Sequence, residues 1–202
     1  ESTLPNAKPV GVKLDDDDET AYDKYTNITF SGITVEEIVA LGRVPYTNFW
    51  GTLSKSDLIV VTEAISLVGI EELRFRKIHQ LSDGEYQKAM IAKALAQQTP
   101  IIFLDEPTAF LDYPSKIAMM QLLRRLAHEQ HKLIVLSSHD LDIAFQTADY
   151  IWLLGREGLQ TGTLDELAQC GAISAFLDNA DLYFDVSARR ICIAATGPLF
   201  GK

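Results

Sequence analysis

Ile101-Ile102-Phe103-Leu104-Asp105-Glu106-Pro107 is the stretch on which the fold turns. Four apolar residues in a row suit a strand buried on both faces of a parallel sheet. Pro107 ends such a strand, because it has no N–H to give to the ladder. Asp105 and Glu106 are thereby delivered at the carboxyl end of the strand, where open α/β sheets bind their ligands. An Asp at that edge can hold a divalent cation, and the Glu beside it can polarise a water. Acid pairs after strands also cap the next element, so the pair alone decides nothing.

Outward toward the C-terminus, a helix is expected from about Pro114 to Gln130, with Ile117, Met120, Leu123 and Leu126 facing inward. Asp112 precedes it and can serve simply as its N-cap. Leu133-Ile134-Val135-Leu136 reads as a second buried strand and leads into Ser137-Ser138-His139-Asp140. A helix over Leu141 to Ala148 and a third strand over Tyr150 to Leu154 continue the alternation. Such alternation implies βαβ units and a parallel sheet. In that arrangement His139 emerges at the same sheet edge as the acids, able to reach a bound phosphate or an attacking water. Read alone, it is an ordinary surface or core histidine. Beyond Gly155, Thr163-Leu164-Asp165-Glu166 is a capping box for a helix ending near Gly171, and Tyr183–Asp185 with Arg190–Ala194 form a terminal hairpin.

Outward toward the N-terminus, Leu81-Ser82-Asp83-Gly84-Glu85 opens a helix reaching Gln97, with Ala89, Ile91, Ala92 and Leu95 apolar. Ser82 can cap it, and Gly84 lets the backbone approach a ligand closely. A helix start with free N–H groups and a hydroxyl can bind an anion, although most such starts are merely capped helices. Earlier, Thr34-Val35-Glu36-Glu37 is a capping box for a helix that Gly42 ends. Ser54-Lys55-Ser56-Asp57 opens another, with Leu58, Val61, Ile65 and Val68 as its stripe and Gly69 as its C-cap. Residues 1–32 differ from the rest. They carry Asp15-Asp16-Asp17-Asp18-Glu19, which lacks the interleaved spacing of a calcium loop and reads as a solvated, disordered acidic stretch.

The 202 residues are enough for one well-buried domain with a small subdomain. A formal net charge of -10 argues against nucleic acid or anionic lipid as the main partner. Cys170 and Cys192 make no metal-ligand spacing and are expected to be buried, reduced thiols. No apolar run approaches the roughly 18 residues that span a bilayer, so a membrane link would pass through a partner.

Taken together and in this order, the helix entry, the strand with its two acids, the Leu111-Asp112 turn and the strand ending in Ser-His resemble the ATP-binding subunits of ABC transporters. The resemblance runs from about Thr34 to Leu154. It implies a P-loop NTPase-like parallel sheet flanked by helices, with a helical subdomain. It makes Leu81, Ser82, Asp83, Gly84 and Glu85 the signature loop, Ile101–Glu106 the Walker B strand, Asp112 the coupling aspartate of the D-loop and His139 the switch histidine. Asp105 would hold Mg²⁺, Glu106 would act as general base, and His139 would contact the γ-phosphate of ATP. The signature loop would serve ATP held by a second ATP-binding subunit, giving a homodimer. Transmembrane permease subunits would hold the pair at the cytoplasmic face of the membrane. The Thr34–Arg43 and Leu81–Glu85 segments look most like importers of ferric siderophores, haem or cobalamin.

Departures from that pattern matter equally. No GxxxxGK[ST] occurs in the sequence, so the cradle and lysine that grip the β- and γ-phosphates are not present. Asp83 and Glu85 stand where many members carry Gly and Gln. The implied organisation is a truncated or rearranged acidic segment over 1–32, a helical subdomain over 33–98 and an α/β part over 99–202. Two functions follow: an ATPase subunit of an importer, or a catalytically silent module that docks on a permease or partner ATPase. A DNA-repair or translation ATPase would be expected to show long heptads, tandem domains or basic stretches, and none is present.

Overall fold

The computed structural model describes residues 32–47, 52–155, 158–177 and 182–194. The acidic run at 15–19 lies outside the described residues.

The helical part follows from its caps. Helix α1 (Val35–Ala40) begins at the predicted box: Thr34 N–H donates to Glu37 Oε2 at 2.8 Å, and Glu37 N–H donates back to Thr34 Oγ1 at 3.3 Å. Gly42 does not stop it. The chain continues as a 3₁₀ turn over Leu41–Tyr46. Gly42 is needed there for close approach, since a Cβ would fall 2.4 Å from the Lys93 carbonyl oxygen. Helix α2 (Lys55–Leu67) starts at the Ser54–Asp57 box, and Gly69 follows it with φ 69°. Its inward face is Val61, Ala64, Ile65 and Val68; Leu58 is exposed, because the inward place one residue earlier belongs to Asp57. Asp57 is buried against Arg43, with Nε to Oδ1 at 2.9 Å, while Arg43 Nη1 donates to Ala96 O and Gln98 Oε1, each at 2.8 Å. Helix α3 (Asp83–Ala96) completes this part, with Ala89, Ile91, Ala92 and Leu95 buried as expected.

Strand β1 (Ile101–Leu104), helix α4 (Tyr113–Glu129) and strand β2 (Leu133–Leu136) form the βαβ unit. The strands are parallel, with Ile101 opposite Leu133 and Leu104 opposite Leu136. Met119, Met120, Leu122, Leu123 and Leu126 of α4 join Ile102 and the three helices in one core, with Ile117 partly buried beside them. The expected burial on both faces is not found. Ile101, Phe103 and Leu133 are exposed, because no layer among the described residues covers that side.

Helix α5 (Leu141–Thr147) leads to strand β3 (Ile151–Gly155), which departs from the expected third parallel strand. Among the described residues it pairs with β4 (Gly158–Gly162), antiparallel, from Ile151–Gly162 to Gly155–Gly158. A short return offers a partner locally, whereas a parallel partner requires a crossover. Helices α6 (Leu164–Gln169) and α7 (Ala172–Leu177) cover Leu153 and Phe145 in a second core. The terminal hairpin is present as β5 (Leu182–Asp185) and β6 (Arg190–Ile193). It docks on α5 through Phe184 against Phe145, centroids 5.3 Å apart, and through the Ile191 N–H, which donates to Asp142 Oδ1 at 2.8 Å. Both cysteines are free. Cys170 is exposed and Cys192 half-buried, contrary to the expectation of buried thiols.

Candidate functional site: the carboxyl edge of the parallel strands

Parallel pairing in register brings the two strand ends together. The Ser137 N–H donates to Leu104 O at 3.0 Å, extending the ladder by one step. Ser137 then faces the acids. Its Oγ–H donates to Asp105 Oδ1 at 2.6 Å, and it accepts from the Glu106 N–H at 2.9 Å. Glu106 adopts φ 44°, a left-handed conformation that costs a non-glycine residue about 1–3 kcal/mol. The Ser137 contact and the turn from the Ala109 N–H to Glu106 O at 3.0 Å hold it there.

That backbone conformation aims Glu106 across the edge. His139 Nε2 lies 2.6 Å from Glu106 Oε1. His139 is 89% exposed and Glu106 42%, so the pair contributes little to folding stability. An oriented carboxylate and imidazole in open solvent are suited to handling a water or a phosphate rather than to supporting a core.

Asp112 caps α4: the Ser115 N–H donates to its Oδ1 at 2.8 Å, and these Ser115 contacts hold its carboxyl below the usual carboxylate range. The cap reading is realised, and a coupling role is compatible with it. Ser82 caps α3, and Glu85 answers it, with the Ser82 N–H donating to Glu85 Oε2 at 2.8 Å. The Ser82 backbone and hydroxyl lower the Glu85 pKa. Asp83 is the first helical residue, and Leu81 packs on the core. Ser82 and Glu85 bond to one another, not to Asp105, Glu106 or His139. Gly84 faces Leu111 of the β1–α4 loop, but a Cβ there would sit at 3.7 Å, an ordinary contact. Packing within the chain therefore does not demand glycine at 84.

Asp105, Glu106 and Ser137 are oxygen donors of the kind a hard cation takes. Among the described residues no group of three or more His, Cys, Asp or Glu forms a cage. Two carboxylates and a hydroxyl suit Mg²⁺, which is bound through one or two carboxylates plus substrate phosphates. Sequence reasoning missed Ser137 as a site residue, and missed Thr108, Lys116 and Asp140 around it. Register supplies the signal for Ser137, because pairing Leu104 with Leu136 sets 105 beside 137.

A family model described as ABC transporter matches residues 15–109, beginning inside the acidic run and ending just past the Asp-Glu pair. The petrobactin import ATP-binding protein FpuC of Bacillus anthracis is 38% identical over 138 residues, covering 68% of this chain and 51% of that protein. The iron(3+)-hydroxamate import ATP-binding protein FhuC of Bacillus subtilis is 38% identical over 152 residues, covering 72% of this chain and 56% of that protein. A metal-chelate type ABC transporter in an inward-facing conformation superposes with a TM-score of 0.68 at 23% identity, over 81% of this chain and 65% of that one. A dimeric bacterial ABC transporter cassette superposes with a TM-score of 0.54 at 30% identity, over 65% of this chain and 57% of that one. The chain is a relative of the ATP-binding proteins of ABC transporters, with their P-loop NTPase-type α/β fold. It spans about half the length of these two curated relatives, 51% and 56%.

Proposed function

We propose that the chain serves ATP-driven import of a ferric siderophore, haem or cobalamin, as part of an ATP-binding subunit. One observation carries this reading: the 2.6 Å pairing of Glu106 with His139 at the edge where two parallel strands end. In the reaction proposed, Glu106 accepts a proton from, or orients, the water that attacks the γ-phosphate. His139 keeps Glu106 aimed and donates to a phosphate oxygen. Asp105, held by Ser137, is the residue that takes Mg²⁺. Bound Mg²⁺ neutralises charge on the phosphate oxygens, and positioning supplies most of the remaining acceleration. Ser82, which also caps α3, and the Gly84 N–H serve ATP gripped by a second subunit. Asp112 couples the two sites.

Residues 33–98 form the helical subdomain that meets the permease, and 99–202 the hydrolytic part. No helix among the described residues is long and apolar enough to cross a membrane. Attachment to the inner face of the membrane through the permease fits that observation and the import roles for which the relatives are named.

A second reading, a silent docking module, is favoured by one fact: no GxxxxGK[ST] stands in these 202 residues. The two readings separate in a paired experiment. Calorimetry of the 202-residue polypeptide with MgATP is expected to give no micromolar binding. A chimera in which a GxxxxGK[ST]-bearing segment of an ABC ATPase precedes Thr34 is expected to bind and hydrolyse ATP. A chimera that binds MgATP without turning it over contradicts the hydrolytic reading and leaves the silent one.

A further inference from the structure

The loop carrying His139 is held by a side chain that does not perform its ordinary local task. Asp140 occupies the N-cap of α5, from which a carboxylate normally accepts an N–H of the first turn. Thr34, Ser54, Ser82, Asp112 and Thr163 all do this for their helices. Asp140 makes no such cap. Both of its carboxylate oxygens lie 3.0 Å from Lys116 Nζ in α4, and Oδ2 also accepts from Thr108 Oγ1 at 3.3 Å. Thr108 is buried in the loop that begins with the acids.

The contacts bracket His139. On one side Ser137 is bonded to Asp105 and Glu106. On the other, the Asp140 N–H donates to Ser138 Oγ at 3.0 Å, and the Leu141 N–H donates to His139 O at 3.1 Å. The imidazole between them is 89% exposed. An exposed side chain on an untethered loop would sample several rotamers. Lys116 also sits in the first turn after Asp112, its N–H donating to Asp112 O at 2.9 Å. One residue therefore links the Asp112 turn to the histidine loop.

We propose that Lys116, acting through Asp140, is a positioning residue that aims His139 at Glu106. This rests on the hydrolytic reading of that pair, but it is tested without turnover. In the 202-residue protein, NMR should show a cross-peak between the His139 imidazole and the Glu106 side chain. K116M is expected to lose it and K116R to restore it. The Ile191 amide, held by Asp142 of α5, should keep its shift throughout. D140N, which retains the shape but removes the charge facing Lys116, is expected to lose the cross-peak as well and serves if K116M fails to fold. A cross-peak of wild-type intensity in K116M or D140N overturns the proposal. So does its absence in the wild type, or loss accompanied by a shifted Ile191 amide, which would report damage to the helix. Failure of the hydrolytic reading shows elsewhere, in ATP turnover that is indifferent to Glu106.

Discussion

The three-helix part and the parallel-strand edge treat charge in opposite ways. In the helical part the charged pair is hidden: Arg43 and Asp57 are 6% and 4% exposed, and the guanidinium lies over Tyr46, 3.9 Å from its ring centroid. At the strand edge the charged pair is in the open, beside an apolar strand face that is also open, with Phe103 at 74% exposure. The contrast separates groups that hold the chain together from groups left available to a ligand. A buried ion pair fixes geometry, and it penalises loss of either member heavily. An exposed pair adds little to stability and remains free to change partners.

Orphaning the hidden charge should separate the two regions most strongly. R43M is expected to lower the melting temperature by about 10 °C, followed by circular dichroism. A shift no larger than that of a surface substitution would erase the distinction between the two regions. Next in size is an apolar pair. L126A, at a fully buried position, should cost about 2–5 kcal/mol in urea unfolding, while F103S at the open strand face should stay within about 0.5 kcal/mol. Equal costs would mean that the β1 face is covered in solution.

The smallest effect is acid sensitivity. The Ser54 hydroxyl and N–H, then Arg43, lower the Asp57 pKa from 3.8 to about 2. The folded state thus binds fewer protons than the unfolded state between those values. The stabilisation is fully present above about pH 4 and is lost as pH falls toward 2. Glu37, Glu85, Asp112 and Glu166 are lowered by their caps and act with the same sign. S54A should therefore flatten the fall in the urea midpoint between pH 4 and 2.5. An unchanged slope would show that the Ser54 contact does not set this limb.

What the sequence made legible tracks how local each determinant is. Thr34–Glu37 and Thr163–Glu166 were legible as capping boxes, and Ser54 and Ser82 as helix starts, because each relation joins residues three positions apart. The Asp-Glu-Pro strand and its parallel partner were legible because apolar runs bounded by breakers are distinctive. Burial of β1 on both faces was not a safe reading, because a short apolar run does not say which layers exist to cover it. The pairing of β3 with β4 was obscured in the same way, since periodicity marks a strand and not its neighbour. Lys116 was unreadable for a different reason. In sequence it is one more helical lysine, and its role appears only when Asp140 is brought to it across the βαβ unit.

The hydrolytic proposal stands or falls on Glu106, aimed by His139, acting on the attacking water. The direct test is single-turnover cleavage of MgATP by the chimera with and without E106Q. A positioned general base is worth about 10²–10⁴-fold in rate. E106Q is therefore expected to slow cleavage at least 100-fold while leaving MgATP affinity unchanged. Cleavage at the undiminished rate would contradict the claim.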